Sequence, residues 1–116
     1  METPFDPRRV KAALIRDTML ALAGAVPTGK PIGPDAVARA IGGKDEKVWR
    51  LLMPAVRREA ARLAKEGKIV ILRKGSVVDP DRIRGLWRLR LRQEGEALPV
   101  FEDVVADDEF LDDDED

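Results

Sequence analysis

The sequence predicts a mainly α-helical domain with a small β-hairpin: an α+β fold of the winged helix-turn-helix kind, three helices plus wing. Two observations carry that expectation. Apolar residues recur at helical spacing in three segments before residue 67, and beyond it the pattern changes to short β runs, the last of which alternates apolar and basic residues. Three helices, the second short and joined to the third by a glycine turn, followed by a hairpin, is the element order of such domains.

Asp6 as N-cap and Pro7 at the first helical position open a helix over residues 7–23. Val10, Leu14, Ile15, Thr18, Ala21 and Leu22 fall on one broad face of it, and Gly24 is the expected stop. Residues 24–33 carry three Gly and two Pro and read as a loop, with room for a very short strand at residues 30–32. Gly33-Pro34-Asp35 then starts a second helix, which turns Val37, Ala38 and Ile41 inward and ends at Gly42-Gly43. Asp45 caps a third, whose stripe of Val48, Leu52, Val56, Ala60 and Leu63 runs up to Gly67. Pro54 removes one backbone bond and restrains Met53, so this segment is either a kinked helix or a short turn followed by a helix from Pro54.

After Gly67, residues 69–72 form a short apolar β run and Arg73-Lys74-Gly75-Ser76 supplies the turn; Val77-Val78 returns as a strand before Asp79-Pro80 breaks it. Residues 86–92 read as a half-buried strand, with Trp87, Leu89 and Leu91 on one face and Arg88, Arg90 and Arg92 on the other. Both tryptophans, Trp87 and Trp49, read as core residues rather than base-stacking platforms.

Charge divides the chain more sharply than secondary structure does. The total is 21 basic against 22 acidic residues, a formal charge of −1. Residues 1–92 hold every Lys and Arg and ten acidic residues, an excess of eleven positive charges, whereas residues 93–116 hold the other twelve acidic residues and no basic one. The predicted organisation is therefore a folded domain over 1–92 and an acidic C-terminal tail over 93–116, too polar to offset its ordering cost and expected to be disordered.

Composition excludes whole chemistries. There is no His, Cys, Tyr or Asn, one Ser and one Gln, so no thiol nucleophile, imidazole base, disulfide or ordinary zinc site. A binding protein is expected in place of an enzyme, with no cofactor and no metal. No apolar run approaches the roughly 20 residues of a membrane span, and nothing resembles an export signal, so a cytoplasmic location without membrane contact is the default.

The expected partner is nucleic acid, double-stranded DNA first, with transcriptional regulation as the corresponding role. Arg58, Arg62 and Lys65 recur at i, i+4 and i+7 on the third helix, with Arg57 beside them and Arg50 earlier, and such a stripe suits the regularly spaced charges of a duplex. Arg73 and Lys74 at the wing turn reach towards an adjacent groove or backbone. Without Asn, and with Gln93 outside the folded pattern, adenine-reading amides are lacking, so binding is expected to be dominated by phosphate contacts and weakly specific. The alternative is a winged-helix protein-protein interaction module without nucleic-acid binding. The tail interleaves Phe101, Val104, Val105, Phe110 and Leu111 with its carboxylates, so its expected partner is a basic and apolar surface, its own or another protein's. Residues 24–30 imitate a phosphate-cradling loop, G-x-x-x-x-G-K, but Pro31 follows where Ser or Thr is needed and a helix precedes it.

The stretches GPDAVARAIGG, VWRLLMPAVRREAARLAKEGKIVI, KGSVVDP and RGLWRLRL together resemble the bacterial domain of unknown function 3253 family, over roughly residues 8–92. The marks are Trp49 with Leu52-Met53-Pro54, Gly67-Lys68-Ile69, Val78-Asp79-Pro80 and the closing run from Gly85 to Leu91. The resemblance implies a winged-helix-like fold and brings no established activity. The acidic tail lies outside it.

Overall fold

The computed structural model describes residues 7–97, and within them four α-helices and three strands: α1 (Ala12–Ala25), α2 (Pro34–Gly42), α3 (Glu46–Trp49), α4 (Met53–Lys65), β1 (Ile69–Arg73), β2 (Ser76–Val77) and β3 (Arg88–Leu91). Short 3-10 turns occupy Pro7–Arg9, Arg50–Leu52 and Pro80–Arg82.

Pro7 opens the first 3-10 turn and α1 starts later, at Ala12, behind Lys11, which makes no side-chain cap. Asp6, the expected cap, lies outside the described residues. At its far end α1 passes through Gly24 to Ala25, and the chain leaves the helix at Val26, held extended by the following Pro27. The buried face is Ile15, Met19 and Ala23, whereas Leu14, expected inside, is 49% exposed. The segment is apolar almost all round, so spacing alone does not single out one face.

Asp45 caps α3 as expected, accepting the Lys47 backbone N–H at 3.0 Å. Both readings of Pro54 hold a part of the answer. One turn of α-helix passes through the 3-10 turn into α4, the residues at each junction keep right-handed helical angles, and Pro54 sits in the first turn of α4, where its missing N–H costs nothing. The stripe therefore survives: Leu52, Val56, Ala60 and Leu63 are at most 1% exposed, with Val48 half-buried. Two bonds past the end of α4, Gly67 N–H to the Ala64 carbonyl and Lys68 N–H to the Leu63 carbonyl, both 3.0 Å, turn the chain into β1.

The sheet is antiparallel in the order β2-β1-β3. Residues Lys74-Gly75 form the two-residue connection of the β1–β2 hairpin, with Arg73 paired to Ser76 and φ of +55° and +84° at the two turn residues. Positive φ at both positions is what matches the strand twist, and glycine adopts it freely. β3 lies on the other edge of β1, in a register from Ile69–Leu91 to Leu72–Arg88. The short strand expected at residues 30–32 is a single bridge, Ile32 exchanging both backbone hydrogen bonds with Leu89 at 2.7 and 2.9 Å.

Between β2 and β3 the chain crosses beneath α4. Asp79 caps the 3-10 turn at the Asp81 N–H, 2.9 Å, and Ile83 enters the core at 3% exposure. That core joins Ile15 and Met19 of α1, Val37 of α2, Leu52, Val56 and Leu63, and Ile69, Ile71 and Leu89 from the inner face of the sheet. Glu59 is the buried charge among the described residues, 3% exposed; the Arg16 guanidinium donates to its Oε1 at 2.9 Å and Arg62 Nε stands 3.6 Å away. Three helical segments in sequence, with α3 and α4 acting as one, plus a small antiparallel sheet make an α+β fold consistent with a winged-helix-like arrangement.

Candidate nucleic-acid interface

Burial of Val56, Ala60 and Leu63 on one side of α4 leaves Arg58, Arg62 and Lys65 on the other, so the predicted stripe does share one exposed face of a rigid helix. Its members differ in what else they do. Lys65 Nζ pairs with Asp81 Oδ1 at 2.6 Å, and both side chains are more than half exposed. Such a surface pair is worth about 0–1 kcal/mol, little enough for a phosphate to displace it. Arg62 neighbours Glu59 from the surface side. Arg58 makes no ion pair or side-chain hydrogen bond with another described residue and projects its full charge.

Arg57 faces elsewhere. Its Nη2 donates to the Ile83 carbonyl at 2.6 Å, pinning the chain crossing to α4. A carbonyl leaves the positive charge uncompensated, so Arg57 adds to the field but is held for structure. Arg50 stands in the 3-10 turn, exposed, 3.4 Å from Glu46 one turn earlier.

Arg73 and Lys74 sit at the hairpin tip. The Arg73 guanidinium lies along Gly85, where an added Cβ would meet Nη2 at 3.3 Å, so the side chain runs back over the crossing segment. Lys74 is the sole non-glycine residue with positive φ among the described residues. A left-handed conformation costs an L-residue roughly 1–2 kcal/mol, which Asn or Gly largely avoids.

The second basic row of the sequence is divided. Arg90 donates through both Nη atoms to the Glu96 carboxylate, at 2.9 and 2.8 Å, and Arg92 donates to the Glu96 carbonyl at 2.9 and 2.6 Å. The Gln93 N–H adds a third bond to the carboxylate, 2.9 Å. These donors, the Arg90 guanidinium first, lower the Glu96 pKa to about 2 and raise that of Arg90. Glu96, from the acidic side of the 92/93 charge division, is thus bonded to two arginines of the basic side. Residues 98–116, whose disorder the sequence leads one to expect, lie outside the described residues.

Arg88, in contrast, is exposed beside a cleft of about 940 Å³ between the start of α2, α3 and the hairpin. Trp49, Met53, Leu72 and Trp87 line it, and Leu86 at its lip is 92% exposed. Trp49 is half-buried with the Arg39 guanidinium 4.9 Å from its ring centre, and Trp87 is 9% exposed, so both are packed as expected while each keeps an edge on the cleft. No sequence pattern pointed to this cleft, because its lining comes from four separate segments.

The family model described as protein of unknown function (DUF3253) matches residues 12–92. The chain belongs to the DUF3253 family. No curated protein matches it. The DUF3253 match opens with α1 and closes just past β3, so it contains the α4 face, the hairpin and the cleft and excludes the Gln93–Glu96 turn and the acidic tail. Among the described residues no helix is long and apolar enough to cross a membrane.

Proposed function

We propose that this protein binds nucleic acid, duplex DNA first, through phosphate contacts made by the outer face of α4 and the tip of the β1–β2 hairpin, with modest base specificity. The observation that carries the reading is Lys74. A long cation occupies the turn position where Asn is conformationally cheaper, next to Arg73, in the two-residue connection of the β1–β2 hairpin. Arg58, Arg62 and Lys65 offer further cations from a rigid scaffold, and the described residues together hold 21 basic and ten acidic side chains. Specificity would come from Arg or Lys at guanine and from groove shape.

Substituting Lys74→Asn tests this in the full chain. The variant gains about 0.5–1 kcal/mol in urea unfolding, because the left-handed strain is relieved. It also weakens binding to a fluorescent duplex in anisotropy titrations. A variant that is both more stable and undiminished in affinity removes the hairpin from the interface. Exposed Leu86 beside Trp49 and Trp87 favours a second reading, a protein-docking module; there Leu86→Ser abolishes partner capture and DNA affinity is absent from the start.

A further inference from the structure

We propose that the cleft between α3 and the β1–β2 hairpin is the docking site for the chain's own acidic segment, residues 98–116, seated through Phe101 and Phe110. The cleft has two chemistries side by side. Its floor is apolar, Trp49, Met53, Leu72 and Trp87, while Arg73, Lys74 and Arg88 stand around it. Asp35 is the acidic residue of the lining, and Arg39 pairs with it at 3.1 Å, so the rim is net positive.

The occupant has the matching pair of chemistries. Residues 98–116 carry ten carboxylate side chains and no Lys or Arg, interleaved with Phe101, Val104, Val105, Phe110 and Leu111. Charge alone would suit any basic surface, the outer face of α4 included. An acidic strand that also brings phenylalanines suits a surface with exposed apolar area, and the cleft offers it: Leu86 at its lip is 92% exposed, against 56% for Leu51 and 49% for Leu14 elsewhere on the domain.

The fold also delivers the segment to the cleft. Glu96 is fastened over Arg90, whose cross-strand partner is Val70; the next pair on the same face of the sheet is Leu72–Arg88, both cleft residues. Two residues along a strand is about 7 Å. Five residues from Glu96 to Phe101 span up to about 17 Å, enough to enter the cleft with slack. Anchoring at Glu96 makes docking intramolecular and gives the segment an effective concentration of order mM, so modest contacts suffice. This assignment does not rest on nucleic-acid binding: the occupant and its anchor belong to one chain.

The absence of cysteine and the presence of only two tryptophans, both in the cleft, allow a direct test. Full-length protein with Ala106→Cys, carrying a nitroxide, is 15N-labelled and diluted into unlabelled protein so that only intramolecular effects are seen. The indole N–H signals of Trp49 and Trp87 are compared with the label oxidised and reduced. Docking predicts that both indoles lose most of their intensity, and that Phe101→Ser with Phe110→Ser in the same labelled chain restores them while amides around Glu96 stay broadened. Both substitutions lie beyond the family match and outside the described fold, so they leave the domain intact. The proposal is overturned by indoles that keep their intensity, by broadening confined to the Arg58 and Arg62 amides of α4, by broadening that survives the serine substitutions, or by broadening seen only when labelled and 15N chains are mixed, which assigns the cleft to a second copy.

Discussion

Two hydrogen bonds from the Arg90 guanidinium and one from the Gln93 N–H hold the Glu96 carboxylate ionised down to a pKa of about 2, against an ordinary value of 4.5. Because the folded value is depressed, the stability this contact supplies is fully present above the unfolded value and is lost as pH falls from there through about 2. The 13C carboxyl shift of Glu96 therefore titrates with a midpoint near 2, and Arg90→Gln moves it back towards 4.5; a midpoint near 4.5 in the unsubstituted chain contradicts the latch. Half of this contact was legible. The alternation of residues 86–92 put Arg90 on the outer face of its strand, but its partner lies in a segment without hydrophobic period, where nothing in the sequence marks one glutamate among its neighbours.

At the scale of the element, Gly24 and Gly42 read alike as helix stops yet play different parts. Gly24 lies inside α1, and a Cβ there would meet Leu91 Cδ1 at an ordinary 3.7 Å. Gly24→Ala is expected to stabilise the fold by about 0.5–1 kcal/mol through helix propensity. Gly42 is the last residue of α2, and a Cβ there would stand 3.1 Å from the Trp49 Cα, backbone that has no room to yield. Gly42→Ala is expected to cost about 1–3 kcal/mol by overpacking. Urea unfolding followed by circular dichroism orders the two; a destabilising Gly24→Ala or a neutral Gly42→Ala contradicts the packing described. Helix existence was legible because caps and stripes are local in sequence. The boundaries of α1 and its buried face were not, since a segment apolar on nearly every side leaves the choice to its neighbours. The same limit hid the sheet order: period two says which side chains of β3 point inward, but not that β1 receives β3 on the edge opposite β2.

Across the whole molecule, the near-neutral total of −1 conceals a basic domain with an acidic extension. The two are joined where Glu96 engages Arg90 and Arg92, whereas Arg58, Arg73, Lys74 and Arg88 have no ion pair with described residues. Of the seven cations singled out from sequence, Arg57 serves to hold the chain crossing, Arg50, Arg62 and Lys65 each stand beside a carboxylate, and Arg58, Arg73 and Lys74 have no ion pair with described residues. Three to four phosphate contacts are within the means of such a surface. The full chain titrated with a fluorescent duplex at several salt concentrations tests this most directly: a slope of log affinity against log salt of about −3 is expected, at roughly −0.9 for each phosphate neutralised. A slope near zero, or no binding at the lowest salt, contradicts it.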